Sequence, residues 1–185
     1  MRVLNLLVVA ACAVTLSFGS ARGEPAGSAA AGIGGLPDAL AVPAGNDLVF
    51  ELRAEGVQVY ACAGSDGKFA WTFRAPEAAL FGPEGQAAGK HYAGPTWESS
   101  DGSKVVGAKV ESATPDPASI PWLLMRSSSH AGSGRMEEVT FIQRVRTSGG
   151  NAPSDGCDAA HAGAVARVPY RAAYRFYRQK TGTGN

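Results

Sequence analysis

Residues 57–73 read VQVYACAGSDGKFAWTF and contain the clearest folding signal in the chain. Residues alternate between two faces in the first part: Val57, Val59 and Ala61 share one face, and Gln58, Tyr60 and Cys62 share the other. SDGK, residues 65–68, contains an Asp-Gly pair typical of a tight hairpin turn, and FAWTF, residues 69–73, continues as a partner strand. The stretch predicts an antiparallel β-hairpin.

Other short segments on both sides of this hairpin also look extended. LVFEL (48–52) precedes RAEG (53–56), which we interpret as a chain reversal, and KVVGAKV (104–110) and IPWLLM (120–125) follow further on. In EEVTFIQRV, alternation predicts one shared face for Val139, Phe141, Gln143 and Val145.

The fold class follows from the spacing of these segments. No amphipathic window is long enough to require a major helix, and 24 glycines and 11 prolines interrupt the chain. We therefore predict a mainly β domain with little helix, an antiparallel β-sandwich, with a closed β-barrel as the alternative. The last segment, VPYRAAYRFY (168–177), fits both strand and helix periodicity, and its aromatic content favours a strand.

The N-terminus predicts export. Arg2 is followed by an apolar run and then by small residues, which is the pattern of a signal peptide covering residues 1–21. Cleavage after Gly23 instead of Ala21 is one alternative. A second alternative is a lipoprotein signal at VAAC (9–12), in which Cys12 is lipidated and becomes the new N-terminus. The run is too short to predict a membrane span that remains after processing.

Three regions are expected after the signal peptide. Residues 22–35 are rich in alanine and glycine and predict a disordered tether, residues 36–178 a single β domain, and residues 179–185 a flexible tail.

Charge and cysteine content agree with a periplasmic or secreted protein. Without residues 1–21, basic and acidic residues balance at 16 each, so the charge gives no reason to expect nucleic acid as a partner. Cys62 and Cys157 are the two cysteines that remain, and in an oxidising compartment such a pair is expected to form a disulfide.

The sequence lacks the local signatures of several common enzymes. It has no Gly-x-Ser-x-Gly elbow, no phosphate-binding loop and no His-Glu-x-x-His motif, so we expect no nucleotide cofactor and no metal. His91, His130 and His161 are far apart in sequence, and separate turn or surface histidines are favoured over a metal site completed by Glu98 or Asp158.

HYAGPTWESSDGS, residues 91–103, is the best candidate for a site. Pro95 predicts a bend, after which Trp97 points into the core and Glu98 points away from it. If the bend brings His91 and Glu98 together, they are candidate catalytic residues for acid–base chemistry. The candidate binding residues are Tyr92 and Trp97 in the same stretch and Gln143 and Arg144 on another strand.

Several blocks together resemble a known family. GVQVYAC, HYAGPTWESSDGSKVVG, IPWLLM, VTFIQRVRTSGGNAPSDGC and VPYRAAYRFY are similar, in this order, to the secreted bacterial and fungal family called domain of unknown function 3455. The resemblance covers about residues 36–178. It implies an exported single domain and brings no catalytic residues to this chain.

Two functions of different classes follow. The first is a non-catalytic periplasmic or extracellular domain that binds an unknown small molecule or glycan or associates with the envelope. The second is a small secreted enzyme that acts on a polar or carbohydrate-like substrate through His91 and Glu98. The sequence alone does not decide whether the protein is an enzyme, and it does not predict the oligomeric state.

Overall fold

The computed structural model describes residues 35–181, in which eight strands account for most of the chain. They are β1 Asn46–Ser65, β2 Lys68–Phe81, β3 Ala87–Tyr92, β4 Thr96–Ser99, β5 Lys104–Ala113, β6 Trp122–Ala131, β7 Val139–Gly149 and β8 Val165–Gln179. The helical elements of this part of the chain are two short 3₁₀ turns, Asp38–Leu40 and Ala159–His161. The predicted mainly β class with little helix is confirmed.

All eight strands belong to one antiparallel sheet that closes on itself. Each strand pairs with its neighbour in sequence, and β1 pairs with both β2 and β8, which completes a closed barrel. The arrangement is therefore the barrel that the sequence offers as the alternative, and two separate packed sheets are not formed by the described residues.

The predicted reversal at residues 53–56 is wrong, because β1 continues through it. Gly56 pairs with Ala78 of β2 on one side and with Tyr170 of β8 on the other. The polar composition has another cause: Arg53 and Glu55 lie on the outer face of the strand, where their side chains form an ion pair at 3.1 Å.

The hairpin at Asp66-Gly67 is confirmed. Both residues have positive φ, 55° and 75°, which is the conformation that a tight two-residue turn requires between antiparallel strands. It joins the ends of β1 and β2, with Ser65 opposite Lys68.

The C-terminal segment is a strand, as its aromatic content predicts. Tyr170, Tyr174 and Phe176 of β8 are buried in the main core cluster inside the barrel. Strand β8 extends to Gln179, so the first residue of the predicted tail is part of the sheet.

The shared face predicted for β7 is interrupted by a bulge. The register with β8 shifts between Val139 and Phe141, so Val139 and Ile142 join the core inside the barrel. Phe141 and Val145 instead join a second cluster, in which Leu40 packs against the outer face of the sheet. The same shift places Arg144 on the inner side, because it lies two residues after Ile142 and so shares its face.

The predicted disulfide between Cys62 and Cys157 is present. It ties the loop between β7 and β8 to the end of β1. Three hydrogen bonds hold the same loop: Tyr60 donates to the Gly150 carbonyl at 2.7 Å, Trp71 donates to the Asp155 carbonyl at 2.7 Å, and the Gly163 N–H donates to the Cys62 carbonyl at 2.9 Å.

The predicted signal peptide (residues 1–21), the tether except residue 35, and the tail after residue 181 lie outside the described residues. Within residues 35–181, no helix has the length and apolar content needed to cross a membrane.

Gly89 in β3 provides a stability prediction. Its φ is +149°, and a Cβ at this position would overlap the carbonyl oxygen of Glu98 in β4. Gly89→Ala should therefore lower the free energy of unfolding by about 2–3 kcal/mol, measured by urea denaturation. Gly85→Ala is the control, because Gly85 also has a positive φ but open space around it, and it should cost only about 1 kcal/mol. Equal losses would show that the β3–β4 contact is not tight.

Candidate functional site

A cavity of about 380 Å³ occupies one end of the barrel interior. Its walls are mostly aromatic and apolar side chains: Tyr60, Phe73, Pro76, Pro95, Trp97, Ile120, Pro121, Leu123, Met125 and Tyr174. The polar side chains in the wall are Gln58, Arg74, His91 and Arg144. The cavity reaches the surface, where Phe73 is 50% exposed. Trp97, Met125 and Tyr174 of this wall also belong to the main hydrophobic core cluster.

His91 and Trp97 form one wall of the cavity. They are direct partners across β3 and β4, and their rings stack with centroids 4.3 Å apart. Tyr174 of β8 meets both rings edge-on, at 5.0 Å from His91 and 5.2 Å from Trp97. This arrangement buries Trp97 completely, as the sequence predicts for its inward side chain.

His91 is a neutral imidazole with a defined tautomer. Burial lowers the pKa of His91 to about 3, even though the hydrogen bond with the Thr96 carbonyl favours the charged form. This bond joins Nδ1 to the Thr96 oxygen at 2.9 Å. Since a carbonyl only accepts, Nδ1 carries the proton and Nε2 is left as an acceptor.

Three lining residues carry buried polar atoms without a hydrogen-bond partner among the described residues: Gln58 Nε2, Trp97 Nε1 and the Tyr174 hydroxyl. An unsatisfied buried donor costs about 1–3 kcal/mol, so such groups usually have a partner, water or ligand included. The other two unpaired buried side-chain atoms in residues 35–181, on Ser99 and Tyr170, belong to residues that do not line the cavity.

The three unpaired groups are not equivalent. The Tyr174 hydroxyl has the Tyr170 hydroxyl and the Arg144 guanidinium as neighbours, although it reaches hydrogen-bonding geometry with neither. A small rotation can pair it inside the protein. The need for an outside acceptor is therefore strongest at Gln58 and Trp97, which are 2% and 0% exposed.

Arg144 supplies positive charge to the cavity. Its Nε donates to the Pro121 carbonyl at 3.0 Å, which positions the guanidinium, and no carboxylate in the described part of the chain pairs with it. The charge affects its neighbours: burial raises the pKa of Tyr174 and Tyr60, and Arg144 opposes the rise in both.

Glu98 lies on the opposite face of the sheet from His91. Its carboxylate accepts a hydrogen bond from the Tyr92 hydroxyl at 2.8 Å and forms ion pairs with Lys90 and Lys104, each at 3.3 Å. The Tyr92 hydrogen bond and the two lysines lower the pKa of Glu98. The structure therefore does not bring His91 and Glu98 together, because adjacent strands present residues 91 and 97 inward and residues 90, 92 and 98 outward.

The other candidate residues divide in the same way. His91, Trp97 and Arg144 line the cavity, whereas Tyr92 lies outside with Glu98. Gln143 is buried away from the cavity: its Nε2 donates to the Leu40 carbonyl at 2.7 Å, and its Oε1 accepts from Tyr177 at 2.6 Å. These bonds attach the N-terminal segment to the sheet, so the role of Gln143 here is structural.

Gln58, Tyr174 and Arg74 line the cavity but are not among the site residues that the sequence predicts. A usable signal exists for Gln58, because the alternation in β1 places this amide on the same face as Tyr60 and Cys62. An amide on an inward, aromatic face needs a buried partner. Tyr174 is indistinguishable in sequence from an ordinary core aromatic residue.

The three histidines lie in separate surroundings. His91 is in the cavity wall, His130 Nε2 lies 2.7 Å from the Val139 carbonyl, and His161 Nδ1 lies 2.7 Å from Asp158. In the described part of the chain, no three His, Cys, Asp or Glu side chains are grouped in a way that could hold a metal ion.

The buried His91 predicts a pH dependence of stability. The unfolded chain protonates this imidazole near pH 6.5, whereas the folded protein resists protonation until about pH 3. The contribution of His91 to the free energy of unfolding is therefore fully present above about pH 6.5. It falls as the pH decreases, by about 1.4 kcal/mol per pH unit once the unfolded form is protonated.

The measurement is the free energy of unfolding by urea between pH 6.5 and pH 5, above the range in which carboxylates titrate. The His91→Gln variant should show a smaller decrease over this interval than the native protein, whatever its absolute stability. Identical slopes would mean that the imidazole is not kept neutral by the fold.

Comparison with known proteins gives a family and no closer relative. Neither the curated proteins nor the solved structures include one that matches this chain. The sequence matches the family described as protein of unknown function (DUF3455) over two overlapping segments, residues 43–88 and 82–178. Together the two segments cover every residue of the eight strands except Gln179, the last residue of β8. The chain belongs to the DUF3455 family.

Proposed function

We propose that this protein is an exported, non-catalytic binding domain that takes a small organic molecule into the cavity at the end of its barrel. The observation that carries the proposal is the pairing of an apolar cavity of about 380 Å³ with buried donors on Gln58 and Trp97 that lack partners. Ligand sites are usually concave, largely apolar and equipped with a few polar groups that orient the ligand.

The composition of the wall favours binding over catalysis. Among the described residues, those that line the cavity include no serine, threonine, cysteine or carboxylate. His91 lacks an acidic partner there, since Glu98 lies on the other face. No observation therefore favours the alternative of an enzyme that acts through His91 and Glu98.

The disulfide and the N-terminal sequence support export. A disulfide such as Cys62–Cys157 is stable in the periplasm or outside the cell and is rare in a reducing cytosol. Residues 1–21 have the composition of a signal peptide.

The test is native mass spectrometry of the protein purified from the periplasm or the culture medium. We expect an additional mass from a bound small molecule or short glycan, which disappears in a variant with a filled cavity, Leu123→Trp. Val110→Trp is the matched control, because Val110 is exposed and outside the cavity, and it should keep the ligand.

Two results would contradict the proposal. One is a native protein that carries no bound molecule; the other is a molecule that Leu123→Trp retains as well as Val110→Trp does. Under denaturing conditions the same sample tests export, since a cut after Ala21 gives the mass of residues 22–185 with one disulfide.

A further inference from the structure

Two arginines in the cavity wall have no acidic partner. Most other arginines of the described chain are paired: Arg53, Arg146, Arg167, Arg171, Arg175 and Arg178 each contact a glutamate. Arg74 and Arg144 contact no carboxylate in residues 35–181 and both line the cavity, which has no acidic residue in its described wall. The cavity is therefore positively charged.

The hydrogen-bonding groups in the wall complement this charge. Gln58 Nε2 and Trp97 Nε1 are donors without acceptors, and both belong to side chains that are almost completely buried. The Arg144 Nε is used by the Pro121 carbonyl, which leaves the terminal nitrogens of the guanidinium free to donate. A ligand rich in acceptor oxygens satisfies all of these groups together, because a guanidinium donates two parallel hydrogen bonds to a carboxylate.

The shape of the wall indicates a flat ligand body. His91 and Trp97 present a stacked pair of rings, Tyr174 stands edge-on to both, and the Tyr60 and Phe73 rings meet edge-to-face at 5.7 Å. Flat conjugated groups pack against such surfaces in offset or edge-to-face arrangements, which add to the burial of apolar area.

We propose that the cavity selects a flat organic carboxylate, with Arg144 binding the carboxylate and the rings around Trp97 holding the conjugated body. This inference rests on the proposed function, since it names the chemical class of the ligand for the same cavity.

The test compares two probes of nearly identical shape, 2-naphthoate and 2-naphthamide, by isothermal titration calorimetry on the full mature protein. A charge-assisted pair of hydrogen bonds is expected to make the naphthoate bind about 10- to 100-fold more tightly than the amide. Arg144→Gln should remove this preference, and Arg144→Lys should retain part of it, because lysine keeps the charge but not the planar fork.

Arg126→Gln is the matched control. Arg126 is an exposed arginine of β6 that has no ion pair with the described residues and does not line the cavity. Its substitution should leave both affinities unchanged. A preference that falls equally in Arg126→Gln and Arg144→Gln would reflect net charge alone and would overturn the assignment of Arg144.

The remaining outcomes separate this inference from the proposed function. Equal binding of the two probes to the native protein would overturn the carboxylate preference, while the proposal that the cavity binds a small organic molecule would still hold. Binding of neither probe would overturn the inference as well, while the proposed function would still be judged by the molecule that co-purifies with the native protein. A urea denaturation curve for each variant shows whether a lost preference comes from a folded protein.

Discussion

Trp97→Ala is expected to lower the free energy of unfolding by about 3–5 kcal/mol, because it removes the largest fully buried side chain of the barrel. The indole packs on His91, meets Tyr174 and Phe176 edge-on, and lies against Gly107, where an added Cβ would come within 2.9 Å of the ring. Its loss joins a new void to the existing cavity, and the strands around it cannot close this space.

Urea denaturation followed by far-ultraviolet circular dichroism measures this loss. Trp71→Ala is the matched control: Trp71 is half-buried on β2, outside the cavity wall, and its Nε1 donates to the Asp155 carbonyl at 2.7 Å. We expect about 1 kcal/mol for this change, in line with the loss of one hydrogen bond. Similar losses for the two variants would contradict the central position of Trp97 in the barrel.

Removal of the disulfide is the second large effect. Cys62 and Cys157 are 95 positions apart. A cross-link that closes a loop of this length lowers the conformational entropy of the unfolded chain, and we expect it to stabilise the folded protein by about 4 kcal/mol. For a domain of this size the Cys62→Ser, Cys157→Ser double variant should unfold roughly 10 °C below the native protein. The hydrogen bonds of Gly150, Asp155 and Gly163 should keep the loop in place in the folded variant.

Thermal unfolding with and without a reductant measures this effect. The reductant should lower the melting temperature of the native protein to that of the double variant and should leave the variant unchanged. A native protein whose melting temperature does not respond to complete reduction would contradict the prediction. Two reactive thiols in denatured, unreduced native protein would show that the bond does not form.

The sequence predicts the local features of the fold well. The hairpin at Asp66-Gly67, the strand at residues 168–177 and the inward side chain of Trp97 all follow from alternation or turn chemistry within about ten residues. The disulfide is predicted from composition, since Cys62 and Cys157 are the two cysteines outside the predicted signal peptide. Each of these features depends on short-range information.

Closure of the barrel and the bulge in β7 are not predictable in this way. Closure depends on the pairing of β1 with β8, which joins residues more than a hundred positions apart, such as Leu52 and Tyr174. The bulge after Val139 depends on the register with β8, and it decides that Arg144 faces the cavity. Neither feature leaves a local pattern.

The cavity wall is predictable only in part, because it too depends on both local sequence patterns and long-range strand pairing. His91, Trp97 and Arg144 are recognised from residue type and all line the cavity, but strand geometry separates Glu98 from His91. Two adjacent β-strands turn consecutive residues to opposite faces, so proximity in sequence does not bring these two side chains together. Alternation in β1 turns Gln58 inward, but the other residues that form the cavity around it come from distant strands, so its place in the cavity wall is missed.

The indole N–H of Trp97 provides the most direct measurement of the central claim, that this cavity is the ligand site. Nuclear magnetic resonance of ¹⁵N-labelled protein resolves the indole signals of Trp71, Trp97 and Trp122, and Trp97→Phe assigns the relevant one. On addition of 2-naphthoate we expect the Trp97 signal to shift and saturate, while the signal of Trp71, whose indole is already paired with Asp155, stays in place. A Trp97 signal that does not move at a saturating concentration, or a shift confined to Trp71 or Trp122, would contradict the account.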